Sequence, residues 1–223
     1  MRKNARPKTA AEYAIDEIKR LIIEQQLLPG THIDQTEIAR MLEVSRIPVR
    51  QALANLAQRG FIILQAHRTA TVAPLSRTDV ENLYVLRERL EAWAIQESIN
   101  HFEQADFLHL EHLNRSMEGA AESGDLVRYM VLNREFHFAL FSKTRNPHLL
   151  RVLESFFDLT ERYQWMYLNS KGSKNVSLGD HRELIDQLRR RDLQGVVSVA
   201  ARHNKKTVDW VIKAARTYES LQN

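Results

Sequence analysis

Apolar residues recur at three- and four-residue intervals along most of the chain, and only one short stretch alternates instead. Ala14, Ile18, Leu21, Ile22 and Gln25 mark an amphipathic helix that ends before Pro29-Gly30. Asp34 is a good N-cap, with Glu37 three residues on as in a capping box, so a helix is predicted over about 35–42. Ile38, Ala39 and Leu42 share one of its faces. Glu43-Val44 reads as a turn. Ser45 caps a second helix, with Pro48 in its first turn, where a missing N–H does no harm. Val49, Leu53 and Leu56 form the buried stripe of that helix, and Gly60 ends it. Residues 61–64 and 69–72 then read as two short strands around Gln65-Ala66-His67-Arg68. A helix-turn-helix followed by a small β-hairpin is a winged helix.

Pro74-Leu75-Ser76 is a natural hinge, and beyond it the helical period holds almost to the end. Thr78 or Asp79 caps a long helix with Val80, Leu83, Leu86, Leu90, Trp93 and Ala94 directed inward. Phe107, Leu110 and Leu113 belong to a second helix. Gly124-Asp125 opens a third, with Leu132, Phe136, Leu140 and Phe141. Asn146-Pro147 opens a fourth, running toward Tyr167. A polar loop is expected over 171–175, then helices over about 179–190 and 192–218. The expected architecture is mainly α: a winged helix-turn-helix domain over 1–76, with 1–8 a loose basic arm, and an antiparallel helical bundle over 77–223.

The outward positions of the second helix carry Arg46, Arg50, Gln51 and Asn55. Arginine grips guanine edges or phosphates with two hydrogen bonds, and Gln and Asn pair with adenine. A charged helix face is also commonly just solvated, but the hairpin that follows favours DNA. The run Leu28-Pro-Gly-Thr31, then Ile38-Ala39, then Val44-Ser-Arg-Ile-Pro-Val-Arg-Gln-Ala-Leu53, then Leu56 and Arg59-Gly-Phe61 resembles the DNA-binding domain of the GntR superfamily of bacterial transcription regulators. The resemblance covers about residues 8–75. It implies that Thr36, Ser45, Arg46, Ile47, Pro48 and Arg50 contact DNA, with His67 and Arg68 at the wing. The superfamily often has Gly at the wing tip, where this chain has Ala66-His67.

Charge agrees with that placement. Residues 1–76 hold 11 Lys and Arg against 7 Asp and Glu, and the remainder holds 21 against 21, so the net excess of +4 lies entirely in the first part. Cysteine is absent, which excludes disulfides and thiolate metal sites and suits a reducing cytoplasm. No apolar run approaches the ~18 residues a membrane span needs, and the basic start has no apolar core behind it, so no secretory signal is read there. Gly at 7 and Pro at 5 are scarce enough for a mostly helical chain.

Nine histidines are present. His32, His101, His109, His112 and His148 read as surface, loop or helix-end residues. His137 lies one helical turn after Asn133 on the same face. His181 and His203 flank a break near Arg191-Asp192 at similar distances, so a folded-back helix pair brings them to one height. Imidazoles converging in a bundle core can hold a divalent metal; a buried histidine also serves simply to satisfy hydrogen bonds, and spacing alone leaves both open.

The segments Val85-Leu-Arg87 to Leu90-Glu91, Asn133 to Phe136-His137, Arg145-Asn-Pro-His-Leu149, Asp180-His-Arg-Glu-Leu-Ile185 and His203 are similar to the FCD domain, the effector-binding part of the FadR subfamily. The resemblance covers about 77–220. It implies a divalent cation, Zn or Ni, held by Asn133, His137, His181 and His203, with Asn133 standing where the family most often has Asp. An amide oxygen ligates without bringing negative charge, and three neutral imidazoles suit either metal. Arg87 matches an arginine that often faces the pocket. Alone it reads as a residue salt-bridged to Glu91 one turn on; with the metal it implies a grip on a carboxylate effector.

The function expected is a ligand-responsive transcription regulator, a repressor working as a homodimer on a pseudo-palindromic operator and releasing it when a small organic acid binds. No enzyme activity and no membrane association are expected, and the location expected is the bacterial cytoplasm. Three other readings carry their own signs: a regulator that senses the metal itself, an architectural DNA binder, and a metal-dependent hydrolase. The last lacks an evident general base, since Glu135 points to another helix face than His137.

Overall fold

The computed structural model describes residues 8–24, 26–65, 69–74, 76–168 and 173–222. The chain forms two compact units, Met1–Leu75 and Ser76–Asn223.

In the first unit, α1 (Ala10–Ile23) is opened by a full capping box between Thr9 and Glu12. It packs on α3 (Arg46–Gln58), and α2 (Gln35–Met41) packs on α3 in turn. The expected buried stripe is present: Ala14, Ile18, Val49, Leu53 and Leu56 are all fully buried. Ile23, not Ile22, completes the inner face of α1, and Gln25 lies outside the described residues. The Asp34 carboxylate accepts from the backbone N–H groups of Thr36 and Glu37 at 2.7 and 3.3 Å, so it caps α2 as expected. Leu42 is the C-cap of that helix and not its last turn. Glu43 takes the turn at φ 54°, a left-handed conformation that disfavours a side chain.

The hairpin is shorter than the sequence suggests, with β2 at Ile62–Leu64 and β3 at Ala70–Val72. A third strand, β1 (His32–Ile33), was not foreseen, because two residues are too few to show a period. The order is β1-β3-β2, all antiparallel, with His32 opposite Thr71 and Ile62 opposite Val72. Ala70 and Val72 face the core while Thr71 between them does not, as a two-residue period requires.

The second unit is a bundle of α4 (Arg77–Ser98), α5 (Gln104–Ser123), α6 (Leu126–Phe141), α7 (Pro147–Leu168), α8 (Ser173–Arg189) and α9 (Leu193–Gln222). Ser76, not Thr78 or Asp79, is the N-cap of α4, its hydroxyl accepting from the Asp79 N–H at 3.2 Å. Gly124 closes α5 at φ 73°, a conformation for which glycine is suited. Helix α8 begins at Ser173, so most of the polar loop expected over 171–175 is helical. The break between α8 and α9 falls where expected, with Arg191 at φ 55° and its guanidinium on the carbonyls of Ile99 and Phe102.

The face of α4 needs the largest correction. Val80, Leu83 and Ala94 are buried, but Leu86 and Trp93 are about half exposed and Leu90 is only part-buried. The buried stripe runs through Tyr84, Arg87, Glu91, Ala94, Ile95 and Ser98. Helix α4 contacts α6, α7 and α9 with a face that sets Arg87 and Glu91 among apolar residues, and these two charges neutralise one another. An inward face assigned by apolarity therefore comes out rotated.

Candidate nucleic-acid interface and metal centre

In the first unit four of the residues expected at DNA, Thr36, Arg46, Ile47 and Arg50, line one open groove. His32, Ile33, Asp34, Gln35 and Thr69 line it with them. Arg46, Ile47 and Arg50 are exposed on the outer face of α3, with Val49, Ala52 and Leu53 buried behind them. Ser45 occupies the N-cap position of α3 but makes no side-chain capping bond. Its exposed hydroxyl is not committed to the helix end, contrary to the capping role expected of it. Pro48 is buried in the first turn of α3 and serves the fold more than the groove. His67 and Arg68 lie outside the described residues. His32 lines the groove too, although nothing in its sequence context separated it from a surface histidine.

In the second unit α6, α8 and α9 bring His137, His181 and His203 together. One ring nitrogen from each lies within 4.8 Å of the others, and all three side chains are buried. Ring centroids are 5.0 to 5.5 Å apart. His181 is fully buried, stacks on Phe136 at 4.3 Å, and neither of its ring nitrogens has a hydrogen-bond partner. A buried imidazole with both nitrogens unpaired is costly, and a cation among the three rings would satisfy one of the two, since each histidine offers it a single ligand atom. Burial pushes the His137 and His181 imidazoles well below the ordinary histidine value, and their histidine neighbours push the same way. Neutral rings are the form that ligates.

Asp180 stands behind His203, with Oδ2 3.6 Å from Nδ1. Lys206 Nζ donates to its Oδ1 at 2.9 Å. Burial alone would raise the Asp180 carboxyl, but His203 and Lys206 outweigh it and hold the group well below the usual carboxylate range. A carboxylate near the far side of a ligating histidine is a common support for such a site. Sequence reasoning missed this role because the contact crosses from α8 to α9.

Asn133, His137 and His203 share the lining of a cavity of about 20 Å³ with Tyr84, Arg87, Tyr129, Met130, Gln164, Asn204 and Thr207. That is room for one water or one ion. Arg87 is buried beside it and already engaged. Its Nε and Nη2 donate to Glu91 Oε1 at 3.0 and 2.7 Å, and Nη1 donates to Thr160 at 2.9 Å. The guanidinium lies over the Phe157 ring, 3.8 Å from its centroid. Asn204 donates to the remaining Glu91 oxygen at 2.9 Å. The salt-bridged reading of Arg87 is therefore realised, and the partners that complete it, Thr160 and Asn204, come from helices far away in sequence.

Residues 82–206, more than half of the chain, match the FCD domain model, and residues 10–72 match that of the bacterial regulatory proteins of the gntR family. An HTH-type transcriptional regulator of Bacillus subtilis, YdhC, is 24% identical over 181 residues, 79% of this chain and 80% of that protein. The HTH-type transcriptional repressor RspR of Escherichia coli is 23% identical, over 83% and 82%. The solved structure of E. coli McbR/YncC superposes with a TM-score of 0.75 at 18% identity, over 93% of this chain and 99% of that one, and so shares its fold. The family and these relatives are named as regulators and not enzymes, which removes the hydrolase reading; Glu135 is exposed, whereas the three histidines are buried. Among the described residues no helix is long and apolar enough to cross a membrane. The chain belongs to the GntR family and is a DNA-binding transcriptional regulator with an FCD effector domain.

Proposed function

We propose that the chain is a repressor of the FadR subfamily that binds a pseudo-palindromic operator as a homodimer and releases it when a small organic acid enters the helical unit. Thr36, Ser45, Arg46, Ile47 and Arg50 meet the duplex, with Arg46 and Arg50 making the base and phosphate contacts. Two-fold operators call for two copies of the chain. Exposed Val85, Leu86 and Trp93 on α4 offer apolar surface of the kind such an association covers.

The observation that carries the effector reading is the histidine cluster, above all the two unpartnered nitrogens of fully buried His181. His137, His181 and His203 would hold a divalent cation, Zn or Ni, with the Asn133 amide oxygen as fourth ligand. The cation would supply the positive charge that attracts a carboxylate. Arg87 orients that carboxylate only if Glu91 yields part of its grip, since Glu91 takes the same edge of the guanidinium. Release then requires the acid to bind the two arrangements of the bundle unequally.

A second reading is favoured by the cavity of about 20 Å³, which is sized for an ion. In it the metal itself is the effector. One experiment separates the two. The purified chain is loaded with zinc or nickel, dialysed and assayed for metal, and its affinity for a selected duplex is measured with chelator and then with a panel of small carboxylic acids. Stoichiometric metal and release by an acid support the first reading. A large response to chelator with none to any acid supports the second, and absence of stoichiometric metal overturns both.

A further inference from the structure

His32 belongs neither to the recognition helix nor to the wing, yet its ring is exposed and lines the same groove as Thr36, Arg46 and Arg50. Its place is set by the sheet. On β1 it pairs with Thr71, and its Nδ1 lies 3.0 Å from the Ala70 carbonyl oxygen of β3. A carbonyl oxygen only accepts, so Nδ1 carries the hydrogen and donates. The strand register has therefore chosen the tautomer. In the neutral ring Nε2, turned away from the sheet, is a bare acceptor. In the charged ring it is a donor.

DNA phosphate oxygens also only accept. A bare Nε2 against a phosphate sets two acceptors face to face, whereas a protonated one makes a charge-assisted hydrogen bond. We propose that His32 is a DNA-backbone contact that engages phosphate as the imidazolium, so that duplex binding by this chain takes up a proton. This rests on the reading of the groove as the DNA interface.

The charged groups facing the ring stand on two sides of it. Asp34 is at the junction of β1 and α2, its carboxylate already accepting from two backbone N–H groups. Arg46 and Arg50 lie across the groove on α3. Thr69, Ala70 and Thr71 of the β3 segment and Gln35 and Thr36 of α2 carry no charge. An arriving phosphate neutralises the arginines and adds its own negative charge, so protonation is favoured in the complex above the free protein.

The test uses the full chain and a duplex that it selects from a randomised pool. Affinity is measured by fluorescence anisotropy at several salt concentrations between about pH 8 and about pH 6, the range in which an imidazole changes charge. The wild type should tighten by about three- to tenfold over that range. Its dependence of log K on log salt should steepen by about 0.9, one added phosphate contact. His32→Gln keeps a donor for the Ala70 carbonyl but cannot charge, and should lose both responses. His32→Lys should show the steeper salt dependence at every pH. A wild type without the pH response overturns the proposal, as does a His32→Gln protein that folds and keeps it. If instead no duplex is selected, or Arg46→Ala and Arg50→Ala leave binding intact, the groove reading itself has failed and His32 falls with it.

Discussion

The two units treat charge in opposite ways. In the winged unit Arg46 and Arg50 stand exposed over a core of Ala14, Ile18, Leu53 and Leu56, and the fold does not need them. In the helical unit Arg87 and Glu91 are as buried as the leucines around them, and Asp180, His181 and Asn204 are buried as well. The first unit spends apolar residues on stability and keeps its cations for a partner. The second builds polar groups into its core, where each must have a partner of its own. Substitutions that remove a charge should therefore cost binding in one unit and folding in the other.

The largest effect is expected at Glu91→Ala. It strips Arg87 of a buried partner and leaves Asn204 without its acceptor. Breaking a buried pair from one side costs about 3–5 kcal/mol. Chemical denaturation should show the loss in the helical unit while α1 and α3 keep their protection from hydrogen exchange. Replacing both partners by apolar residues of similar size should restore much of it, because the cost lies in the stranded charge. If Glu91→Ala leaves stability unchanged, the polar core is not structural and the contrast between the units disappears.

Arg46→Ala comes next and tests the other side. It should weaken specific duplex binding by about 1–3 kcal/mol and relax selectivity at one base pair, with the unfolding curve unmoved. An unchanged affinity and footprint would remove the base-reading role. A shifted unfolding curve would mean that the groove is part of the fold, and the division between exposed and buried cations would fail.

How much of this was legible in the sequence follows the same division. The winged unit was readable because its buried positions are apolar and recur with helical spacing; Val49, Leu53 and Leu56 fall inside as expected. Its misses are small: a two-residue strand, and an N-cap serine whose side chain makes no capping bond. The histidine cluster was legible from spacing across one turn of helix and one helix break, and from its resemblance to a known domain. Helix α4 was legible as a helix, with Val80, Leu83 and Ala94 inside as expected, but its inner face was only partly so, because it also holds Tyr84, Arg87 and Glu91 while Leu86 and Trp93 face out. Periodicity assigns the apolar side to the interior, and a neutralised polar core inverts that rule. Thr160, Asn204 and Asp180 were beyond reach for a related reason: a partner on another helix leaves no local pattern.

Acid should separate the units by direction more than by size. His137 and His181 are held neutral by burial, so their folded values lie below the ordinary histidine value near 6.5. Between those values the unfolded chain binds more protons than the folded one, and stability rises with pH. The metal-free helical unit should therefore keep this contribution above about pH 6.5 and lose it as pH falls through the lower folded values. Zinc should counter the loss until ligand protonation releases it. Denaturation midpoints with and without chelator check this. A helical unit whose stability is flat from neutral to mildly acid pH would mean that the imidazoles are not buried neutral.

The smallest effect is expected at Arg182→Ala, and it bears on the contrast most directly. Arg182 on α8 pairs with Glu118 on α5, but its side chain is 64% exposed. Its setting resembles that of Arg46: a guanidinium at the surface of a helix with a packed face behind it. If exposure alone decided the matter, the two arginines would behave alike. An exposed ion pair gains little over solvated charges and loses that little to side-chain entropy and salt, so less than about 1 kcal/mol is expected in stability. Duplex affinity should not move either, since Arg182 is not among the residues that line the groove with His32, Arg46 and Arg50. Measured beside Arg46→Ala in the same binding and unfolding assays, Arg182→Ala separates position in the groove from mere positive charge. Equal losses of affinity in the two variants would mean that the protein attracts DNA by overall charge, and the recognition helix would lose its special standing.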